Sequence, residues 1–207
     1  MREDVISQDH GTGAEATREL LEERSEAETP ARAAAIRSMD HGDRAPTTTS
    51  AGRFLDAIAA LLDVARERSY EGEPAMRLES VATEGTAVDI EVPFDRVDGR
   101  RVVDAKTLAD RLATLLEEHP TPDVASTAQD ALARGLAAIA IEEAERRGVD
   151  AVGFSGGVSY NDAISRTVRR LVTEAGLEYL DHRDVPPGDA GIAYGQAIVA
   201  TARTGPR

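Results

Sequence analysis

The sequence predicts an α/β fold of parallel strand–helix units with a helical insert, and three observations carry that expectation. From residue 149 to residue 203, short apolar stretches alternate with longer amphipathic ones, strand then helix, twice over. That order implies parallel pairing through crossover connections. Each strand gives way to its helix through a glycine-rich break, Ser155-Gly156-Gly157 in the first unit and Gly188-Asp189-Ala190-Gly191 in the second. Upstream, helical stretches flank a segment of alternating apolar and polar residues that reads as a hairpin-like insert.

Taken in order, residues 1–29 are polar and rich in Glu, and are expected to form a partly ordered leader. The domain proper is expected over 30–207, opening with a short helix from Pro30 to about Ser38. Thr49 or Ser50 can cap the next helix, whose Phe54, Leu55, Ile58, Leu61 and Leu62 recur at helical spacing and which is expected to run to about Arg66. Tyr70-Glu71-Gly72-Glu73-Pro74 is a turn opening another helix, with Pro74 acceptable in its first turn. Val88, Ile90 and Val92 predict a strand, and Arg101-Val102-Val103-Asp104 a second, joined through the Asp98-Gly99 turn. Helices are expected at about Thr107–Glu118 and Pro122–Arg147, the latter ended by Gly148. Strand 149–154, helix 157–175, strand 177–181 and helix 190–203 complete the chain.

The formal net charge is −14, from 38 Asp and Glu against 24 Lys and Arg, and Lys106 is the only lysine. We read the acid excess as a halophile's surface, because molar salt shortens the Debye length to about 3 Å and screens repulsion that dilute buffer does not. The melting temperature should therefore fall as KCl is lowered from molar to about 0.1 M, where the Debye length is about 10 Å. A melting temperature unchanged across that range would refute the reading. The same charge argues against direct nucleic-acid binding, which rests on cations neutralising phosphates. With no cysteine in the sequence, disulfides, thiolate zinc sites and a cysteine nucleophile are excluded. No apolar stretch approaches a membrane span and the first residues lack a signal-peptide profile, so a cytoplasmic location is expected.

The chemistry-bearing candidates lie at the two glycine-rich breaks. In Ser155-Gly156-Gly157 the backbone N–H groups of a helix start converge where no Cβ intervenes, which suits a phosphate or a nucleotide; a plain tight connection is the other reading. Asn161 follows within about a turn, where its amide could reach a ribose or base. Asp189 sits at the mouth of the last helix as a metal ligand or as a helix cap. His10, His41, His119 and His182 include no pair at metal-binding spacing, and His182 alone lies near the glycine-rich segments. Ser50, Gly52, Arg53 and Asp56 cluster at a helix start, and no Ser/His/Asp or Cys/His set is present among these candidates.

Four ordered segments carry a resemblance: residues 45–62, Tyr70-Glu-Gly-Glu-Pro-Ala-Met76, Phe154-Ser-Gly-Gly-Val-Ser-Tyr-Asn161, and residues 182–196 with Pro186-Pro187-Gly188-Asp189. Over roughly residues 30–203 the chain resembles the C-terminal half of hydrogenase-maturation carbamoyltransferases of the HypF type, relatives of the tRNA threonylcarbamoyltransferases. The resemblance implies an actin-like ATPase lobe, of the ASKHA and ribonuclease H-like class, that closes with a second lobe on a nucleotide. It implies that Asp56 and the Gly72 turn contact the ribose or adenylate side, that Ser155, Gly156, Gly157 and Asn161 contact the nucleotide, and that Asp189 ligates a divalent metal: Fe, Zn or Mg. The implied cofactor is ATP or carbamoyl-adenylate, and the implied acceptor is the C-terminal cysteine of a HypE-like protein, whose thiocarbamate becomes the cyanide ligand of a nickel–iron hydrogenase.

The HxxxH pair that completes the metal site in that family does not occur in this sequence. That absence bears on completeness, whereas Gln129, where HypF-type proteins tend to carry histidine, weighs against the hydrogenase branch and for the tRNA branch, and the Tyr70-Glu71-Gly72 turn and Pro186-Pro187 weigh the other way. The chain is therefore expected to be incomplete alone, with a separate chain supplying the missing lobe. A non-catalytic remnant or interaction module, and a protein of the tRNA-modifying branch, are the alternatives.

Overall fold

A computed structural model describes residues 48–203, so the predicted leader and the helix after Pro30 lie outside the described residues. The chain divides into two compact units, with the boundary after Ala128.

In the first unit, helix α1 (Ala51–Leu61) starts where Ser50 Oγ accepts the Arg53 N–H at 3.4 Å. It stops short of the expected Arg66 because Asp63 turns to φ 57°, leaving Leu62 and Ala65 buried beyond the helix. Helix α2 (Glu73–Ala82) packs against α1 and carries Pro74 in its first turn, where a missing N–H costs no hydrogen bond. The antiparallel hairpin is β1 (Phe94–Val97) and β2 (Arg100–Val103), turning at Asp98-Gly99 and pairing Phe94 with Val103. Asp104 then caps helix α3 (Ala105–Leu115), accepting from both the Thr107 N–H and its hydroxyl. Leu55, Ile58, Leu78, Leu108, Leu112 and Val124 form the core. Fully burying each such side chain contributes about 1.5–3 kcal/mol.

The strand expected over Val88–Val92 does not form. Those apolar residues do alternate, half-buried against exposed Asp89 and Glu91. The segment instead lies along the start of helix α4 (Thr121–Arg147), where Asp123 accepts the Thr86 N–H at 2.8 Å and the Thr127 hydroxyl accepts the Val88 N–H at 2.9 Å. Gly85 permits that approach, since a Cβ there would stand 2.1 Å from the Pro122 carbonyl oxygen.

The second unit begins with the rest of α4, whose buried Ala131, Ala133, Ala137 and Ala144 let neighbours approach closely, and Gly148 ends the helix at φ 65°. Strands β3 (Ala151–Gly153) and β4 (Glu178–Leu180) pair in parallel, Val152 opposite Tyr179, as the strand–helix alternation predicts. The helix expected over 157–175 is broken: a 3₁₀ turn, Gly157–Tyr160, precedes helix α5 (Asp162–Glu174). Ile164, Val168 and Val172, at i, i+4 and i+8, are its buried stripe. A second 3₁₀ turn, Asp189–Gly191, leads into helix α6 (Ile192–Arg203), so the expected 190–203 helix is also a turn followed by a helix.

Candidate functional site

The two glycine-rich loops of the second unit are stitched to each other. The Pro187 carbonyl accepts the Gly156 N–H at 2.9 Å and the Ser155 hydroxyl at 3.2 Å. With its single proton committed there, Ser155 Oγ also lies 3.0 Å from His182 Nε2, which ties the segment after β4 to the same loop. Gly156 holds φ 102°, a conformation closed to side-chain-bearing residues, and its carbonyl takes both the N–H and the hydroxyl of Ser159. Tyr160 completes the stitch: its hydroxyl accepts the Gly188 N–H at 3.4 Å, and its ring lies so close that a Cβ on Gly188 would sit 2.6 Å from a ring carbon.

Among the described residues no acceptor engages the N–H groups of Gly157 and Val158, the first in their 3₁₀ turn. Asp189 opens the next turn with its carboxylate exposed. Ser155, Gly156, Gly157 and Asp189 are thus carried by one hydrogen-bonded pair of loops. His182 and Tyr160, which hold it together, were not singled out for this by sequence; the only signal was His182's place directly after an apolar strand.

Asn161 faces inward. Its oxygen accepts the Ile164 N–H at 2.9 Å, capping α5, and its amide nitrogen donates to Gln129 Oε1 at 3.1 Å; the residue is 6 % exposed. Gln129 is itself buried, with no partner for Nε2 among the described residues.

The first unit holds Asp56 and Gly72. Arg53 pairs with Asp56 Oδ2 at 3.1 Å and with Glu71 Oε1 at 2.9 Å, while Arg68 reaches the other Glu71 oxygen at 3.1 Å. Gly72 follows at φ 81°, a left-handed position that sets the angle of α2. Glu73 turns inward, its carboxylate held below the usual range by the Ser69 N–H and hydroxyl. Asp56 Oδ1 is buried without a hydrogen-bond partner among the described residues. Burial pushes this carboxyl up from its ordinary 3.8 with Glu71 adding to the rise, against the lowering by Arg53, Arg68 and the Ala75 N–H.

A folded-state pKa above the unfolded one means the folded chain holds the proton more tightly. The contribution to stability is therefore best below pH 3.8, falls as pH rises through the folded-state value, and leaves a penalty at neutral pH. Asp56→Asn should remove that penalty and raise the melting temperature at pH 7, with no gain at pH 3. A drop at pH 7 would mean that the Arg53 pair outweighs desolvation.

No group of three or more His, Cys, Asp or Glu among the described residues is placed to hold a metal ion, so Asp189 does not by itself fit a metal centre. No described helix is long and apolar enough to cross a membrane.

Residues 6–196 match the family described as carbamoyltransferase, Kae1-like domain, second subdomain. The chain belongs to that family. The match begins at residue 6, earlier than the resemblance over 30–203. The chain is 33% identical over 160 residues to a protein of Methanocaldococcus jannaschii named probable carbamoyltransferase HypF, covering 77% of this chain and 21% of that one. It is 36% identical over 165 residues to carbamoyltransferase HypF of Rhodobacter capsulatus, covering 78% and 21%. The crystal structure of T. kodakarensis HypF superposes with a TM-score of 0.75 at 36% identity, covering 90% of this chain and 24% of that one. Full-length HypF in the phosphate- and nucleotide-bound form shares the fold at 23% identity, again with a TM-score of 0.75. The fold is thus the α/β fold of the HypF Kae1-like domain, and the chain spans between a fifth and a quarter of the length of these relatives.

Proposed function

We propose that this chain is the nucleotide-binding lobe of a HypF-type carbamoyltransferase, an actin-like ATPase lobe incomplete until a second lobe closes on it. The observation that carries the reading is the stitched loop pair, with Gly157 and Val158 N–H groups at one loop and the Asp189 carboxylate at the other. Two unengaged backbone donors suit a phosphate of ATP or carbamoyl-adenylate. The partly buried Asp56 and the Gly72 turn serve the ribose or adenylate side. A closed cleft would keep water from the mixed anhydride until its carbamoyl group reaches the cysteine of a HypE-like acceptor.

Any metal here needs ligands beyond Asp189, so no step is assigned to one.

Calorimetric titration with ATP and Mg²⁺ in molar KCl tests the proposal, on the chain alone and with the completing lobe. Asp56→Asn should weaken binding at least tenfold while leaving the melting temperature at or above its starting value. No ATP binding in either setting would overturn the nucleotide reading.

A further inference from the structure

Arg53 stands where helix physics does not ask for a cation. It lies in the first turn of α1, where the Ser50 cap accepts its N–H, and no acidic residue shares that turn. The N-terminal end of a helix favours negative charge, so the guanidinium gains nothing from the helix that carries it. Its partners lie in two directions. Nη1 meets Asp56 Oδ2 at 3.1 Å one turn on, and Nη2 meets Glu71 Oε1 at 2.9 Å, 18 residues along the chain. Ion pairs with exposed partners contribute little to stability, and the Glu71 side chain is 75 % exposed. What the rigid fork supplies is a fixed separation between two carboxylates.

The Glu71 end is itself held. Arg68 takes its second oxygen at 3.1 Å, and two residues on Glu73 folds inward to accept the Ser69 N–H and hydroxyl at 2.6 and 2.8 Å. Gly72, between them at φ 81°, is thus carried by a turn pinned on both sides. The Asp56 end is held against its solvation. The side chain keeps 17 % exposure while Oδ1 is buried without a hydrogen-bond partner among the described residues, so Oδ2, the atom Arg53 grips, is the oxygen within reach of a ligand. Burial, and after it Glu71, push this carboxyl toward its neutral form, and Arg53 is the largest opposing influence.

We propose that Arg53 is a positioning residue for nucleotide binding, holding the Asp56 carboxylate at a fixed distance from the Gly72 turn and presenting Oδ2 to a hydroxyl of the ribose. The inference rests on the reading of Asp56 and Gly72 as the ribose or adenylate side. An ionised carboxylate accepts from a hydroxyl more strongly than a neutral one, so the guanidinium sets the charge of the acceptor as well as its direction.

Carboxyl-carbon NMR titration of the ligand-free chain, with the Asp56 signal assigned from Asp56→Asn, follows the group directly. Arg53→Met keeps the stem, removes the charge and should raise the Asp56 midpoint; an unmoved midpoint overturns the inference whether or not ATP binds. Calorimetric titration with ATP and Mg²⁺, on the chain with the completing lobe, then reads affinity, with circular dichroism as the check on folding. Arg53→Met should weaken ATP binding at least about tenfold, the scale of one hydrogen bond to a charged group. In the Asp56→Asn background the same substitution should cost less than about threefold, because its effect passes through Asp56. Arg53→Lys, which keeps a charge without the fork, should recover only part of the affinity, and full recovery would overturn the positioning role. Affinity indifferent to Arg53→Met, or an equal loss in both backgrounds, overturns the inference and leaves the nucleotide reading standing. No ATP binding by the unsubstituted protein overturns the nucleotide reading and this inference with it.

Discussion

Asn161→Ala should lower stability by about 2–4 kcal/mol, the sum of a lost helix cap at about 1 kcal/mol and a buried Gln129 oxygen left without its donor at about 1–3 kcal/mol. For a chain of this size that is a fall in melting temperature of about 5–12 °C. The geometry makes the loss divisible. Asn161→Asp keeps an oxygen for the Ile164 N–H, and Gln129, whose Nε2 has no partner among the described residues, can turn its amide to donate to the new carboxylate. Asp should therefore recover at least half of what Ala loses, and thermal melts of the two variants decide it. Equal losses would mean that the Gln129 amide is locked. Nucleotide affinity in the Ala variant confounds fold with ligand, so only the Asp variant can report whether Asn161 touches a nucleotide as well.

Asp189→Ala is expected to act oppositely, leaving stability unchanged within about 0.5 kcal/mol because the carboxylate is exposed. On the proposed function, carbamoyl transfer by the completed cleft should then fall at least about 100-fold, the scale of losing one charged or dipolar group that stabilises a reacting centre. Transfer to the acceptor thiol is the readout, with circular dichroism as the control. Transfer within threefold of the unsubstituted protein would remove Asp189 from the active site. A melting temperature lowered by several degrees would show instead that Asp189 supports the 3₁₀ turn it opens.

Local chemistry was legible wherever a side chain acts on its own neighbourhood. Ser50, Pro74, Asp98-Gly99 and Gly148 mark element ends that the structure keeps, and the strand–helix alternation after residue 149 gives the parallel pair. What was not legible depends on distant partners. Val88, Ile90 and Val92 have a strand's alternation, but the alternation records only which side is covered, and the N–H groups of Thr86 and Val88 go to α4 side chains 37 and 39 residues away. The break at Asn161 was hidden because Gly157–Tyr160 leaves no 3.6-residue signature, and because its amide partner, Gln129, lies 32 residues upstream. At the site, the glycine-rich loops and Asp189 stood out by residue type. The bonds through His182, Pro187 and Tyr160 that join the loops did not, since a carbonyl has no letter in a sequence.

That one carbonyl, Pro187, taking two donors from the opposite loop, bears on how ligands at the two loops address each other. A displacement of Ser155-Gly156 cannot occur without moving the peptide two residues before Asp189, so occupancy at one loop is a perturbation at the other. Such coupling is symmetric by thermodynamic necessity: if a ligand at one loop changed affinity at the other by some factor, a ligand at the second would change affinity at the first by the same factor. On the proposed function the loop pair would register its ligands jointly, with no preferred order of arrival written into its equilibrium.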